Sequence, residues 1–509
     1  MRTRPITRLA GLLASMTLLV PWACSEDAPH GAAPSAGAGG TKAGSAGQGG
    51  TGTSGRGGTN NGGQSGRADA PDDAGAGAVD AGSSGTSSTD GGTGGAAGPA
   101  GGGVGGDEAK TSANARQLGG PGLDSGNSVA TDAEGNVYVA GTTSSAVEDQ
   151  PSLGGLDALL LKYDSKGTLR WARTWGTGSE DLGIGVATAS DGSVYVVGRT
   201  RSSLPGHTSA GGDDAFLAKY DADGTVLWIQ QFGTAGGDEA VGIAVSGDDI
   251  YVTGVTEGAF TGIPSKGGRD MFVARYSSDG DPLWVRVLGT PNADYGHGVA
   301  IDDDDNIYVS GGTYGALDGL TSAGGRDALL SKWQADGTLE WVKQFGTSED
   351  DDAGAVALQG SVIFVAGYTG GALDDEESAG AKDAFLSVFS PDGDREWSRL
   401  IGTSADELFY TALSIDESGD AILAGCTKGS FENFQHAGGD YDGFLARVTE
   451  AGSVANIVQF GTSGTEMARG LALGQDGTVY VTGDTTGAFG ETPNGGMTDI
   501  YVLGMKFSR

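Results

Sequence analysis

Short apolar stretches separated by Gly, Asp and Asn run along the chain from residue 114 to its end. In one representative segment, residues 298–301 alternate small and aliphatic side chains, and residues 307–309 are apolar throughout. A third apolar stretch follows Asp327 and a fourth contains Trp341. Short runs of this kind, bounded by turn residues, are typical of β-strands. The tight Gly/Asp/Asn turns between them predict units of four antiparallel strands, which we call a, b, c and d in chain order.

The four-strand unit occurs seven times. An aspartate ends a Gly-rich segment of each copy, with spacings of 56 to 59 residues, at Asp157, Asp214, Asp270, Asp327, Asp383, Asp442 and Asp499. The segment starts with a d-like strand at residues 115–119 and ends after a c-like strand at residues 500–503. Pairing these two ends would hide the sheet edges. The sequence therefore predicts an all-β fold, a seven-bladed β-propeller of four-stranded blades over residues 107–509, closed by an N-terminal strand.

The copies share an aliphatic-Tyr-Val-x-Gly-x-Thr strand, a Gly-Gly-x-Asp-Ala-Phe strand and a Trp-containing strand. This pattern resembles the SBBP-type β-propeller repeat of bacterial surface proteins over nearly all of residues 115–509. The resemblance implies a propeller fold and a cell-surface or S-layer-like context. It supplies no agreed catalytic residues.

The N-terminus indicates export. Three arginines precede a short apolar run at residues 9–20, which is typical of a secretory signal peptide, here residues 1–23. The following segment resembles a bacterial lipoprotein signal, which implies that Cys24 is lipidated; ordinary cleavage that leaves a free Cys24 is the alternative. Residues 24–106 are rich in Gly, Ala, Ser and Thr and predict a disordered tether. We therefore expect an exported protein, lipid-anchored at the outer membrane or cell surface.

Composition limits the classes of partner and chemistry. The chain has 66 acidic and 30 basic residues and a formal net charge of −36, so we expect no nucleic-acid partner. Because Cys24 is expected to carry the lipid, the chain offers Cys426 no second cysteine with which to form a disulfide. The histidines of the repeats lie in separate copies, which argues against a zinc site. No unrepeated catalytic group stands out, so we expect no enzymatic activity. We also expect the protein to be a monomer.

Acidic residues recur in the loop from strand d to the next strand a. They are Asp124, Asp181, Asp238, Asp294, Asp351, Glu407 and Glu466. The simpler interpretation is that each accepts backbone N–H bonds in its own loop. The alternative is Ca²⁺ binding, since carboxylate oxygens are hard ligands and the cation would offset negative charge.

Positions that differ between the repeats but stand next to constant residues are better candidates for ligand recognition. One position follows the constant glycine of strand b, and the other precedes the repeated aspartate. We expect the two positions to lie on the same face of the propeller. The candidates for an anionic or sugar-like ligand are Arg199, Arg269, Arg326, Tyr368, Lys382 and Tyr441. The alternative is that these residues form local ion pairs with the acids that recur in every repeat.

Three functions remain open. The leading hypothesis is a membrane-anchored surface propeller that binds a polysaccharide or a protein without catalysis. The alternatives are a polysaccharide-active lyase or glycoside hydrolase, and a Ca²⁺-dependent structural component of the cell envelope. Fold analogy does not choose among them, because one fold hosts many functions.

Overall fold

A computed structural model describes residues 114–374, 376–490 and 492–507 of the chain. The predicted signal peptide, Cys24 and the tether lie outside the described residues. The strands of the first half are β1 (Asn114–Leu118), β2 (Asp124–Thr131), β3 (Val137–Thr143), β4 (Asp157–Tyr163), β5 (Leu169–Trp175), β6 (Asp181–Thr188), β7 (Val194–Thr200), β8 (Asp214–Tyr220), β9 (Val226–Phe232), β10 (Asp238–Ser246), β11 (Asp249–Thr256), β12 (Asp270–Ser277), β13 (Pro282–Leu288) and β14 (Asp294–Ile301). Those of the second half are β15 (Ile307–Thr313), β16 (Asp327–Trp333), β17 (Leu339–Phe345), β18 (Asp351–Gln359), β19 (Val362–Thr369), β20 (Asp383–Phe389), β21 (Arg395–Ile401), β22 (Glu407–Ile415), β23 (Ala421–Thr427), β24 (Asp442–Val448), β25 (Val454–Phe460), β26 (Glu466–Leu473), β27 (Val479–Thr485) and β28 (Asp499–Met505).

The strands form seven antiparallel four-stranded sheets, which confirms the predicted seven-bladed propeller. Blade 1 is β2 to β5, blade 2 is β6 to β9, and the next four blades follow in the same way. Blade 7 has the order β1-β28-β27-β26. Its outer strand is thus the N-terminal strand, with Ala115 paired to Leu503. The predicted closure is confirmed, and β1 covers the edge of β28.

Antiparallel pairing gives the propeller two different faces. The d-to-a and b-to-c connections emerge on one side, which we call the loop face. The short a-to-b and c-to-d turns emerge on the other, which we call the turn face. The repeated acids begin strands a and c, so they lie at the loop face.

The hydrophobic core lies between neighbouring blades. One buried cluster combines Tyr138 and Leu160 of blade 1 with Val194 and Phe216 of blade 2. Strands b and c supply most of these side chains, because both faces of a blade pack against a neighbour. Cys426 is also fully buried, as expected for a small structural side chain.

A Trp and an Arg of strand d join each of several blades to the next. The Trp171 indole N–H donates to the Ala222 carbonyl at 3.3 Å, and Arg173 Nε donates to the Gly224 carbonyl at 2.8 Å. Gly224 has φ +77°, and a Cβ there would lie 2.9 Å from the Trp171 ring. The repeated Trp and the repeated turn glycine are therefore two sides of one contact between blades.

Candidate functional site

The acids of the d-to-a loops are buried and bonded within their own loops. Asp238 accepts the Thr234 N–H at 2.6 Å and the Thr234 hydroxyl at 2.9 Å. Equivalent backbone N–H bonds reach Asp124, Asp181, Asp294, Asp351, Glu407 and Glu466. The predicted loop-stabilising role of these seven acids is confirmed.

Each of these acids also approaches the aspartate that begins the preceding strand c. A Cβ built on Gly233 would lie 2.7 Å from Asp238 Oδ2 and 2.8 Å from Asp214 Oδ1. A Cβ built on Gly461 would likewise lie 2.9 Å from Glu466 Oε2 and 2.6 Å from Asp442 Oδ1. Only glycine leaves room for the two carboxyl groups. We call these contacts the carboxyl pairs.

Burial raises the pKa of the loop acid in most of the carboxyl pairs. It raises the pKa of Glu407 to about 7, and repulsion from Asp383 acts in the same direction. The pKa shifts upward for the same two reasons, partly offset by hydrogen bonds, in Asp124, Asp238, Asp294, Asp351 and Glu466. Two carboxylates side by side in the interior favour a retained proton.

Calcium binding at these acids stays a prediction. Within the described segments, no three or more His, Cys, Asp or Glu side chains are grouped so that they hold a metal ion. Each loop offers a pair of carboxyl groups, whereas Ca²⁺ takes six to eight oxygen ligands.

Two of the predicted recognition residues, Arg199 and Arg326, meet acids of the following blade at the loop face. Arg199 of blade 2 pairs with Asp213 of the same blade at 2.5 Å and with Glu239 of blade 3 at 3.4 Å. Burial raises the pKa of Glu239, against the effect of the nearby arginines. The second residue of strand a, here Glu239, thus contacts a variable position of the preceding blade, Arg199.

The next junctions extend this arrangement. Arg326 of blade 4 binds Asp352 of blade 5 at 2.6 Å, and His297 Nε2 lies 3.2 Å from the same Asp352 oxygen. The Arg326 guanidinium also lies over the rings of Tyr295 and Tyr314, at 4.3 and 5.0 Å from their centroids. Burial acts to raise the pKa of Asp352, but Arg326 and His297 outweigh it and hold that pKa below its usual value. We call Arg199, Asp213, Glu239, His297, Arg326 and Asp352 the charged sector.

The charged sector is largely buried, and other cations of the loop face are more exposed. Arg269 is 47% exposed and pairs with Glu257 at 2.8 Å. Arg201 is 49% exposed and contacts both Glu180 and Asp213. We use the name cationic rim for four cations of the loop face, of which Arg201, Arg269 and Lys428 are exposed and Lys382 is half-buried.

The remaining predicted residues form two further local contacts. The Lys382 ammonium lies 5.0 Å from the Tyr368 ring centroid, and Lys428 lies 5.0 Å from that of Tyr441. Arg199, Arg269 and Arg326 thus occupy three consecutive junctions, with Tyr368 and Lys382 at the next and Tyr441 beyond it. Whether these residues bind a ligand stays a prediction.

Sequence reasoning missed the unrepeated partners Glu239, Tyr295, His297 and Asp352. Three of them share one signal, since they are the second residues of strands β10, β14 and β18. The same position holds serine, leucine or methionine in the other blades, so it varies as much between repeats as the positions predicted to recognise a ligand.

Two sequence relatives and one solved structure illustrate what the chain is similar to. The regulatory protein FlaEY of Caulobacter vibrioides is 28% identical over 62% of this chain and 38% of its own length. An uncharacterised WD repeat-containing protein of Acanthamoeba polyphaga mimivirus is 26% identical over 39% of this chain and 13% of its own length. The alignments thus span less than half of either relative. The Pan2 WD40 domain of Neurospora crassa aligns with 9% identity and a TM-score of 0.43, over 79% of this chain and 98% of that domain.

One family profile matches the repeats themselves. The profile of SBBP, described as a β-propeller repeat, matches residues 114–147 and 283–317. The first match contains the closing strand β1 with strands a and b of blade 1, and the second runs from strand d of blade 3 through strand b of blade 4. The chain is therefore a seven-bladed β-propeller that carries SBBP-type repeats.

Proposed function

We propose that this protein is an exported, lipid-anchored surface propeller that binds an anionic polysaccharide or an acidic surface protein through its loop face, without catalysis. The observation that carries the proposal is the cationic rim of the loop face. On a chain with net charge −36, surface cations offer contact points to an anionic partner.

The rim suits exchangeable binding. Its ion pairs are exposed, and pairs of this kind contribute only about 0 to 1 kcal/mol. A ligand carboxylate or sulfate can therefore replace Glu257 at Arg269 at small cost. The buried charged sector holds the blade junctions in place, so the rim is presented on a rigid platform.

Burial of the unrepeated groups favours binding over catalysis. His297 is 4% and Asp352 is 3% exposed, so a sugar ring does not reach them without movement of the blades. A general base has to come within hydrogen-bond reach of the substrate. Release of reducing ends or unsaturated sugars from a polysaccharide panel would favour the enzyme alternative instead.

Binding is tested with the full mature protein on dextran sulfate and on uncharged dextran. We expect retention by dextran sulfate only, with a severalfold loss of affinity in Arg269→Ala. The matched control is Arg170→Ala, because Arg170 is similarly exposed but lies near the turn face. Equal retention by dextran, or equal effects of the two variants, would contradict the proposal. Assembly that requires Ca²⁺ and dissolves in EDTA would favour the structural alternative.

Anchoring is tested separately by detergent phase partition of cells that express the protein. We expect Cys24→Ser to move it from the detergent phase to the aqueous phase, because the acylated thiol is removed. Cys426→Ser is the control and should leave the partition unchanged. A detergent-phase Cys24→Ser protein would rule out the lipid anchor. Within the described residues, no helix is long and apolar enough to span a bilayer.

A further inference from the structure

Every strand a carries a β-bulge at the same place. Its register against strand b shifts at the fourth residue of the strand in all seven blades. These fourth residues are Asn127, Ile184, Val241, His297, Tyr410 and Arg469, with a glycine in blade 5. The repeat therefore keeps one backbone geometry here and changes the side chain in every blade. Bulges of this kind re-aim a side chain and are frequent next to active sites.

The bulges surround the propeller axis. Each strand a contacts strand a of both neighbouring blades, so the seven strands form a closed inner ring. The neighbours are so close that a Cβ built on Gly185 would lie 2.6 Å from the Val241 carbonyl oxygen of the next blade. Three polar fourth residues follow one another on this ring, Tyr410 of blade 6, Arg469 of blade 7 and Asn127 of blade 1. We call these three residues the axial arc; it lies towards the loop face, where strand a begins.

Arg469 is held in place by its neighbours. Its Nε donates to Asp484 Oδ1 at 2.5 Å, and its guanidinium lies 4.9 Å from the centroid of the Tyr410 ring. Asp484 also accepts the Ser125 hydroxyl of blade 1 at 3.0 Å, and that hydroxyl lies 3.0 Å from Asn127 Oδ1. Burial acts to lower the pKa of Arg469, but Asp484 and Tyr410 outweigh it and hold that pKa above its usual value. The side chain is therefore a fixed cation in a group that spans blades 6, 7 and 1.

The outer edge of this guanidinium is unused. Arg469 Nη1 and Nη2 donate a hydrogen bond to no described residue, and neither nitrogen is enclosed by the surrounding atoms. The Arg469 side chain is 15% exposed, so a small ligand can reach these two donors. Arg326 is also paired with an aspartate and stacked on tyrosine rings, but its side chain is 6% exposed. The same arrangement is thus closed at the junction of blades 4 and 5 and open in the axial arc.

We propose that the axial arc is a binding site for a small hydroxy acid, with Arg469 as its anchor. The ligand carboxylate accepts hydrogen bonds from Nη1 and Nη2 side by side, because the two planar groups match in this geometry. Ser125 and Asn127 offer half-buried oxygen atoms to a ligand hydroxyl. Since Asp484 already offsets part of the positive charge, a singly charged carboxylate fits this place better than a phosphate dianion. The site goes beyond the loop-face function proposed above, because Arg469 belongs to neither the cationic rim nor the charged sector.

The ligand chemistry has two sources, a sugar acid such as glucuronate and a short-chain hydroxy acid such as lactate. The test is calorimetric titration of the full mature protein with these two acids, and glucuronamide and lactamide are the matched neutral probes. We expect at least one acid to bind at least tenfold more tightly than its amide, and the acid that binds identifies the source. Binding by neither acid, equal binding of acid and amide, or tighter binding of inorganic phosphate would overturn the proposal.

Variants locate the binding site. Arg469→Lys keeps a cation beside Asp484 but loses the pair of terminal donors, so affinity for the acid should fall at least fivefold. Arg286→Lys is the matched control and should leave the affinity unchanged, because Arg286 is also half-buried and stacked on an aromatic ring but lies in an outer strand d.

A double variant covers the case in which Arg469→Lys does not fold. Arg469→Gln with Asp484→Asn removes both charges together, so no buried charge is left unpaired and the folded protein should no longer bind the acid. Unchanged affinity in either Arg469 variant would refute the site even if an acid binds. Because Arg269→Ala leaves the axial arc intact, failure of the loop-face proposal would be recognised separately.

Discussion

The carboxyl pair of Asp383 and Glu407 predicts an inverted response of stability to pH. Asp383 Oδ2 accepts the Ala379 N–H and the Ser378 hydroxyl, whereas Asp383 Oδ1 has no hydrogen-bond partner among the described residues. Gly402 lies between this oxygen and Glu407 Oε2. In Asp383→Asn the side chain carries no charge, so its repulsion of an ionised Glu407 is removed.

The sign and size of the effect follow from the pKa of Glu407, which is about 7 against an ordinary 4.5. The native state holds this proton more tightly than the unfolded state. The stabilisation is therefore complete below pH 4.5 and is lost as the pH rises to about 7. A difference of 2.5 units corresponds to about 3 kcal/mol. Asp383→Asn should recover a minor part of this, about 1 kcal/mol, at pH 8 and little at pH 5, because burial and not Asp383 is the largest cause of the shift.

The assay is urea unfolding followed by tryptophan fluorescence at pH 5 and pH 8, at constant ionic strength. The wild-type protein should be more stable at pH 5, and Asp383→Asn should reduce this difference. Asp392→Asn is the matched control, since it removes an equal charge from an exposed turn of the same blade. Equal destabilisation of Asp383→Asn at both pH values would refute the reasoning.

Two further predictions concern a contact between blades and the closure of blade 7. Gly224→Ala should lower the free energy of unfolding by about 2 to 4 kcal/mol, because its Cβ meets the Trp171 ring in addition to the strain of a positive φ. Gly206→Ala is the control, because Gly206 has φ +85° but a Cβ there would have nothing within 4 Å. Urea unfolding of this variant should show only the loss caused by backbone strain, about 1 to 2 kcal/mol. Equal losses of stability in the two variants would contradict the role of the Trp171 contact. Removal of residues 1–118 deletes β1 and exposes the edge of β28, which should lower the thermal midpoint and promote association. A truncated protein that melts like the parent and stays monomeric would show that closure by β1 is dispensable.

Much of the fold was readable from the chain. Short apolar runs, turn glycines and the recurrent aspartate predict the strands, their number and their antiparallel order, because these depend on residues near one another in sequence. Closure by residues 114–118 was also predictable, since the copies lack one d strand at one end and carry one at the other. The loop-stabilising role of acids such as Asp238 followed from turn chemistry.

The candidate sites depend on contacts between blades, which no local pattern encodes. Arg326 and Asp352 belong to different repeats, and only the packing of blade 4 against blade 5 brings them to 2.6 Å. Blade 7 closes with Asn114 and Gly504 at the register positions that hold a tryptophan and a cation in blades 1 to 4, and only the meeting of the two chain ends puts them there. The sequence by itself determined the repeated frame, because local propensity and turn geometry specify a blade. Only the tertiary structure decided which unrepeated side chains meet, because the spacing between neighbouring blades sets those distances.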